Sequence, residues 1–231
     1  MPGCWLRLPM IFLVCAGCSR GAAPGEVGAR GRSKIERRDA ASLPEIGDYS
    51  PPIDDGCLEA APPAGWNVLP RGKTYLIGFA KGKASELPRI VINAGEPLAD
   101  NPAELSSENA TEFAAAENNV LRAAAKAGQK KVAEYYRPIV LGEITYIQHV
   151  RYAQLGNAPC IIQGLETIRG GRLYMVELIA EIDAPRPEEY DRSLAKWRGD
   201  VYAVAASLRF PSSGEKLDPL AAKDGETSNN K

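Results

Sequence analysis

Histidine is almost missing from this chain: His149 stands alone among 231 residues. Five cysteines are scattered at positions 4, 15, 18, 57 and 160. No His/Cys cluster with first-row-metal spacing can be drawn from them. Beyond the N-terminal segment there is no C-x-x-C pair for a zinc ribbon or a redox dithiol. An excess of one charge is missing too, since 28 Lys and Arg face 29 Asp and Glu for a net charge of -1. That balance excludes the basic footprint of a nucleic-acid binder. It also gives no broad attraction to an anionic bilayer. Within the expected folded domain at 61–211 no serine sits in a G-x-S-x-G elbow. The glycines from Gly78 to Gly82 lie in a strand-like run without the Lys-Ser/Thr ending of a phosphate cradle. No repeat of 20–50 residues marks a solenoid. These absences argue against an enzyme and leave no cofactor or metal to assign.

What is present begins at the N-terminus. Arg7 and the free amine supply positive charge, and the apolar stretch Leu8–Ala16 follows. It has about half the roughly 20 residues of a spanning helix, but it suits the core of an export signal. Cys15-Ala16-Gly17-Cys18 then resembles the lipobox of bacterial lipoproteins. Small side chains at Ala16 and Gly17 let a peptidase approach the backbone, and Cys18 offers a nucleophilic thiol. The family usually carries Leu three places before that cysteine, and here the residue is Cys15. The resemblance implies a diacylglycerol thioether on Cys18 Sγ, cleavage before Cys18 and acylation of the new amine. Two or three acyl chains exceed the marginal single-chain anchor, so attachment is expected to be stable. Aspartate after the cysteine marks inner-membrane retention in Gram-negative lipoproteins, so Ser19 leans toward the outer membrane. The expected location is the cell envelope, and membrane lipid is the expected contact.

The expected organisation is a signal peptide at 1–17, a flexible tether at 18–60, one folded domain at 61–211 and a disordered tail at 212–231. The tether reading rests on Gly, Ala, Pro and charge without sustained apolar period. Within it, Arg30, Arg32, Lys34, Arg37 and Arg38 form a basic run broken by Glu36, read as a solvated linker.

In the folded part, strands are expected over 65–68, 75–80, 89–93, 139–142, 144–153, 159–167 and 172–182, with turn chemistry between them. A helix is expected over 110–127, capped by Asn109 with Glu112 as the reciprocal partner. Phe113, Val120, Leu121 and Ala124 form its expected inward stripe, and Gly128 its stop. A second helix begins near Pro187, where Tyr190, Leu194, Trp197, Val201 and Val204 recur at helical spacing. This order gives an α+β class: a central antiparallel sheet flanked by helices, in a sandwich. The Gly65-Trp66 opening, Pro88–Ile92, Arg172–Tyr174, Trp197 and the run Ala205–Phe210 resemble the PsbP-like superfamily, including its exported lipoproteins of the DcrB type. That resemblance implies a sheet between helical layers and non-enzymatic binding or assembly duty.

Several residues are weighed for chemistry. His149 lies mid-strand on the face shared by Thr145, Ile147 and Arg151, and reads as a strand histidine. Glu177 interrupts an apolar face and is expected to pair with Arg151 or to line a pocket rim. Cys57 and Cys160 are candidates for a disulfide in an oxidising envelope, with separate free thiols as the alternative. Glu188, Glu189 and Asp191 suit a helix start, and Lys126, Lys130 and Lys131 a helix end. The leading expectation is a membrane-anchored interaction or assembly module with an unidentified protein partner. The alternative is a small-ligand binder or unusual hydrolase, with a pocket between sheet and helix around His149 or Glu177.

Overall fold

Glycine turns organise the sheet. Gly142, Gly156, Gly170 and Gly171 all adopt positive φ, which glycine reaches without a Cβ penalty. They reverse the chain between four consecutive strands: β5 (Arg137–Leu141), β6 (Ile144–Leu155), β7 (Ala158–Arg169) and β8 (Arg172–Glu181). A second meander precedes these in sequence, formed by β2 (Asn67–Leu69), β3 (Ile77–Ala80) and β4 (Arg89–Ala94). β4 joins the two by pairing antiparallel with β8. In this computed structural model the described residues are 35–97, 102–127, 135–156, 158–183 and 187–211, the side chains of Pro187 and Glu188 excepted. Cys18, the signal segment, the first part of the expected tether, Gly128, Lys130, Lys131, Asn157 and the tail at 212–231 lie outside them.

The described strands form one eight-stranded mixed sheet in the order β1-β5-β6-β7-β8-β4-β3-β2. The α+β sandwich expected from the element order, an antiparallel sheet between helical layers, is therefore corrected. The fold is dominated by this single sheet, and the described residues add only two α-helices, α1 (Ala110–Lys126) and α2 (Pro187–Ser207). The sheet is mixed because β1 (Glu36–Arg38) pairs parallel with β5. That strand lies in the stretch expected to be tether, where three exposed charged residues give no alternation to read.

The tether boundary is corrected with it. From Ile35 onward the chain is placed on the sheet and on α2. The Tyr49 hydroxyl donates to Ser207 O at 2.9 Å, Leu58, Ala60 and Ala61 are fully buried, and Glu59 bridges Arg209. Gly, Pro and Ala are small enough to lie flat against a packed surface, so their abundance here marks close packing rather than lack of structure.

The main core lies between the sheet and α2. Phe79, Ile90, Ile92, Tyr146, Ile161, Leu165, Val176 and Leu178 meet Leu194, Val201 and Val204 there. The last three belong to the helical stripe read from sequence. On the opposite face a smaller core gathers Leu105, Ala110, Ala114, Ile147 and Ile168 under α1. The inward stripe of α1 is Ala110, Ala114 and Glu117, whereas Val120, expected inward, is 57% exposed. Phe113 packs on this core and Leu121 and Ala124 are half-buried, so of the expected stripe only Val120 points outward. Asn109 precedes α1 without capping it. Its Oδ1 accepts from Ser106 N–H and its Nδ2 donates to Glu104 O.

One buried hydrogen bond ties the main core to α2: the Tyr146 hydroxyl donates to Ala205 O at 2.7 Å. Burial also pushes the phenol well above its usual titration range. Tyr146→Phe is expected to cost about 1 kcal/mol. The loss would be read as a lower urea midpoint with an unchanged slope.

Candidate functional site

The register of β6 against β7 places Ile147 opposite Glu166, His149 opposite Gly164 and Arg151 opposite Ile162. The next pairing places Glu177 opposite Gly164 and Met175 opposite Glu166. Directly opposed residues share a face. His149, Arg151, Glu166 and Glu177 therefore stand together on the side of the sheet that carries α1. The helix adds Glu117 from its inward stripe. Asn118 fastens the segment before β5 to α1, its Nδ2 donating to Tyr136 O at 2.7 Å and its Oδ1 accepting from Tyr136 N–H at 2.9 Å. The Tyr136 ring thereby lies 5.0 Å, centroid to centroid, from the His149 imidazole.

Gly164 makes this packing possible. A Cβ at that position would lie 2.3 Å from Cε1 and 2.6 Å from Nε2 of His149, so the imidazole rests on bare backbone. The His149 side chain is 4% exposed, and its Nδ1 lies 3.3 Å from Glu166 Oε1. The two atoms are close but not aligned as a hydrogen bond, and Nδ1 has no hydrogen-bond partner. They do not form an ion pair at neutral pH either. Burial, then the nearby Arg151 charge, lower His149 to about 4. Burial, followed by Glu117 and Glu177, raises Glu166 to about 8. Burial raises Glu117 as well. The imidazole is neutral and the Glu166 carboxyl holds a proton.

Glu177 has the partner expected for it. Arg151 Nη2 donates to Glu177 Oε1 at 2.7 Å, and Asn93 Nδ2 donates to Oε2 at 2.9 Å. With the carboxylate 8% exposed and the guanidinium 28% exposed, this pair forms a semi-buried wall of the cluster. His149 and Glu177, weighed separately in the sequence, thus belong to one arrangement. Glu166 and Glu117 were missed. Glu166 lies among apolar strand residues and was not singled out, and Glu117, between Phe113 and Leu121 on the inward stripe of α1, is a charged residue where apolar ones were sought.

The candidate disulfide is corrected: Cys57 and Cys160 are both free thiols. Cys57 lies in the turn after Asp54, whose carboxylate accepts from the Tyr174 hydroxyl at the start of β8. Cys160 pairs with Glu181 at the far end of β8. Seven residues of strand separate those ends, about 23 Å at 3.3 Å per residue, whereas bridged Cα atoms lie within about 7 Å. Among the described residues no group of three or more His, Cys, Asp or Glu could hold a metal ion, and no described helix is long and apolar enough to cross a membrane.

No family model and no curated protein matches this chain. A solved structure from Bacteroides thetaiotaomicron VPI-5482 is similar at 15% identity and a TM-score of 0.42, covering 69% of this chain. The match spans 47% of that chain's length.

Two outcomes follow from the cluster. Gly164→Ala is expected to push the imidazole off the β7 backbone and destabilise the fold by about 1–3 kcal/mol, measured by urea denaturation. The titration of Glu166 and His149 sets a pH dependence. Glu166 has a folded pKa above its unfolded value, so it favours the folded state at low pH and loses that effect as pH rises to about 8. His149, at about 4 when folded, acts in the opposite sense between 4 and its ordinary value near 6.5. Above that value only the Glu166 contribution changes, because the native state binds the extra proton. Stability should therefore fall between about pH 6.5 and 8 in the parent chain, and the slope should be smaller in Glu166→Gln.

Proposed function

We propose that this chain is an exported lipoprotein, held at a membrane by acyl chains on Cys18, whose folded body serves as a non-enzymatic interaction or assembly module. The observation that carries the reading is Cys15-Ala16-Gly17-Cys18 directly after the apolar stretch Leu8–Ala16. Cys18 is the residue with the required chemistry at that place, since a thiol forms the lipid thioether. In a Gram-negative cell Ser19 favours the outer membrane as the anchor's destination. The chain between Cys18 and Ile35, where the described body begins, spans at most roughly 60 Å when extended. That length keeps the body close to the bilayer and free to meet a protein partner there.

Cys18→Ser is expected to release the protein from the membrane fraction while leaving the circular dichroism of the body unchanged. Mass spectrometry of the mature parent chain should show an acylated N-terminal cysteine. An unmodified N-terminal peptide would overturn the proposal.

A further inference from the structure

Three carboxyl groups and one guanidinium stand under α1. Facing this space are His149 and Arg151 from β6, Glu166 from β7, Glu177 from β8, Glu117 from α1, and Tyr136. The guanidinium of Arg151 is already engaged by Glu177 at 2.7 Å. Glu117 and Glu166 act on each other through space as like charges. Neither has a cationic side chain in a salt bridge among the described residues apart from the His149 contact. That contact supplies no charge, since the imidazole is neutral at ordinary pH. A ring nitrogen, His149 Nδ1, is also left buried and unpartnered beside Glu166. An unsatisfied buried polar atom of this kind costs about 1–3 kcal/mol, which a donor in the cluster would relieve. The Glu166 side chain remains 16% exposed, so the cluster can be reached from solvent.

We propose that Glu117, Glu166 and Nδ1 of His149 form a binding site for an ammonium group, the head of a primary amine or of a lysine side chain. An ammonium has three N–H donors and no acceptor. Two carboxylates and one imidazole lone pair match that inventory. The Tyr136 ring beside His149 adds an aromatic wall, a favourable neighbour for a cation. Binding exchanges the Glu166 proton for the ammonium: the proton leaves to solvent and the carboxylate takes up the new charge. The site goes beyond the anchored-module reading and does not depend on acylation of Cys18.

The sole histidine makes the test direct, because the imidazole of His149 gives one unambiguous NMR signal. The full chain is titrated with butylammonium and, separately, with the N-acetylated tripeptide Gly-Lys-Gly, and tetramethylammonium serves as a cation without N–H donors. At pH 8.5 the His149 signal should shift saturably with a primary ammonium and not with tetramethylammonium. Affinity should fall about tenfold per pH unit below 8, as each binding event must displace a proton. Glu166→Gln should weaken binding at least tenfold, and Glu117→Gln provides the same test if the first variant fails to fold. Saturation by butylammonium alone assigns the site to a free amine, and tighter binding of Gly-Lys-Gly assigns it to a protein side chain. No saturable shift at pH 8.5 overturns the proposal. So does a shift unchanged by removal of either carboxylate.

Discussion

Across the β6–β7 ladder His149 opposes Gly164, and the absence of a side chain at Gly164 lets an imidazole lie flat on the backbone. The same register decides what stands on each side of the sheet. Tyr146, Gln148 and Val150 are sent toward α2, and Ile147, His149 and Arg151 toward α1. A slip by one residue would exchange the two sets. It would drive Tyr146 away from Ala205 and bring charged residues into the main core. The long β6–β7–β8 meander therefore holds the core and the polar cluster in place together.

The two faces have unequal tasks. On the α2 side, branched and aromatic side chains fill the space almost without interruption. There the Tyr202 hydroxyl donates to Gln148 Oε1 at 3.0 Å, while Gln148 Nε2 and both amide atoms of the buried Gln163 lack a hydrogen-bond partner. The α1 side has a smaller apolar core and, next to it, buried ionisable groups. Desolvation is the larger influence on His149 and on Glu166, and it drives both toward their neutral forms. The cluster thus tolerates burial by holding a proton, which leaves it responsive to pH and to any cation able to displace that proton.

The segment from Ile35 to Trp66 links the two edges of the sheet. It starts as β1 beside β5, passes under α2 with Tyr49 and Leu58, and arrives at β2. The turn at Asp54–Gly56, all at positive φ, is fastened by Arg172 to Asp54 at 2.7 Å and by the Tyr174 hydroxyl. This covering layer is irregular, which is why its composition resembles that of a linker. The number of ordered contacts, rather than the number of large apolar residues, distinguishes the two.

Strand positions were largely legible in the chain itself. Alternating apolar residues in β6 to β8, β-branched residues in β4 and glycines at the hairpins mark elements whose periods come from local backbone geometry. The four-three spacing from Tyr190 to Val204 did the same for α2. Glu177 could be paired with Arg151 on paper because it interrupts an apolar face. The parallel partner of β5 and the separation of Cys57 from Cys160 were decided by tertiary structure. So was the meeting of Glu117 and Glu166 with His149. Each of these depends on contacts between residues far apart in the chain. Side-chain period says which residues share a face of one element, but only packing determines which element covers that face.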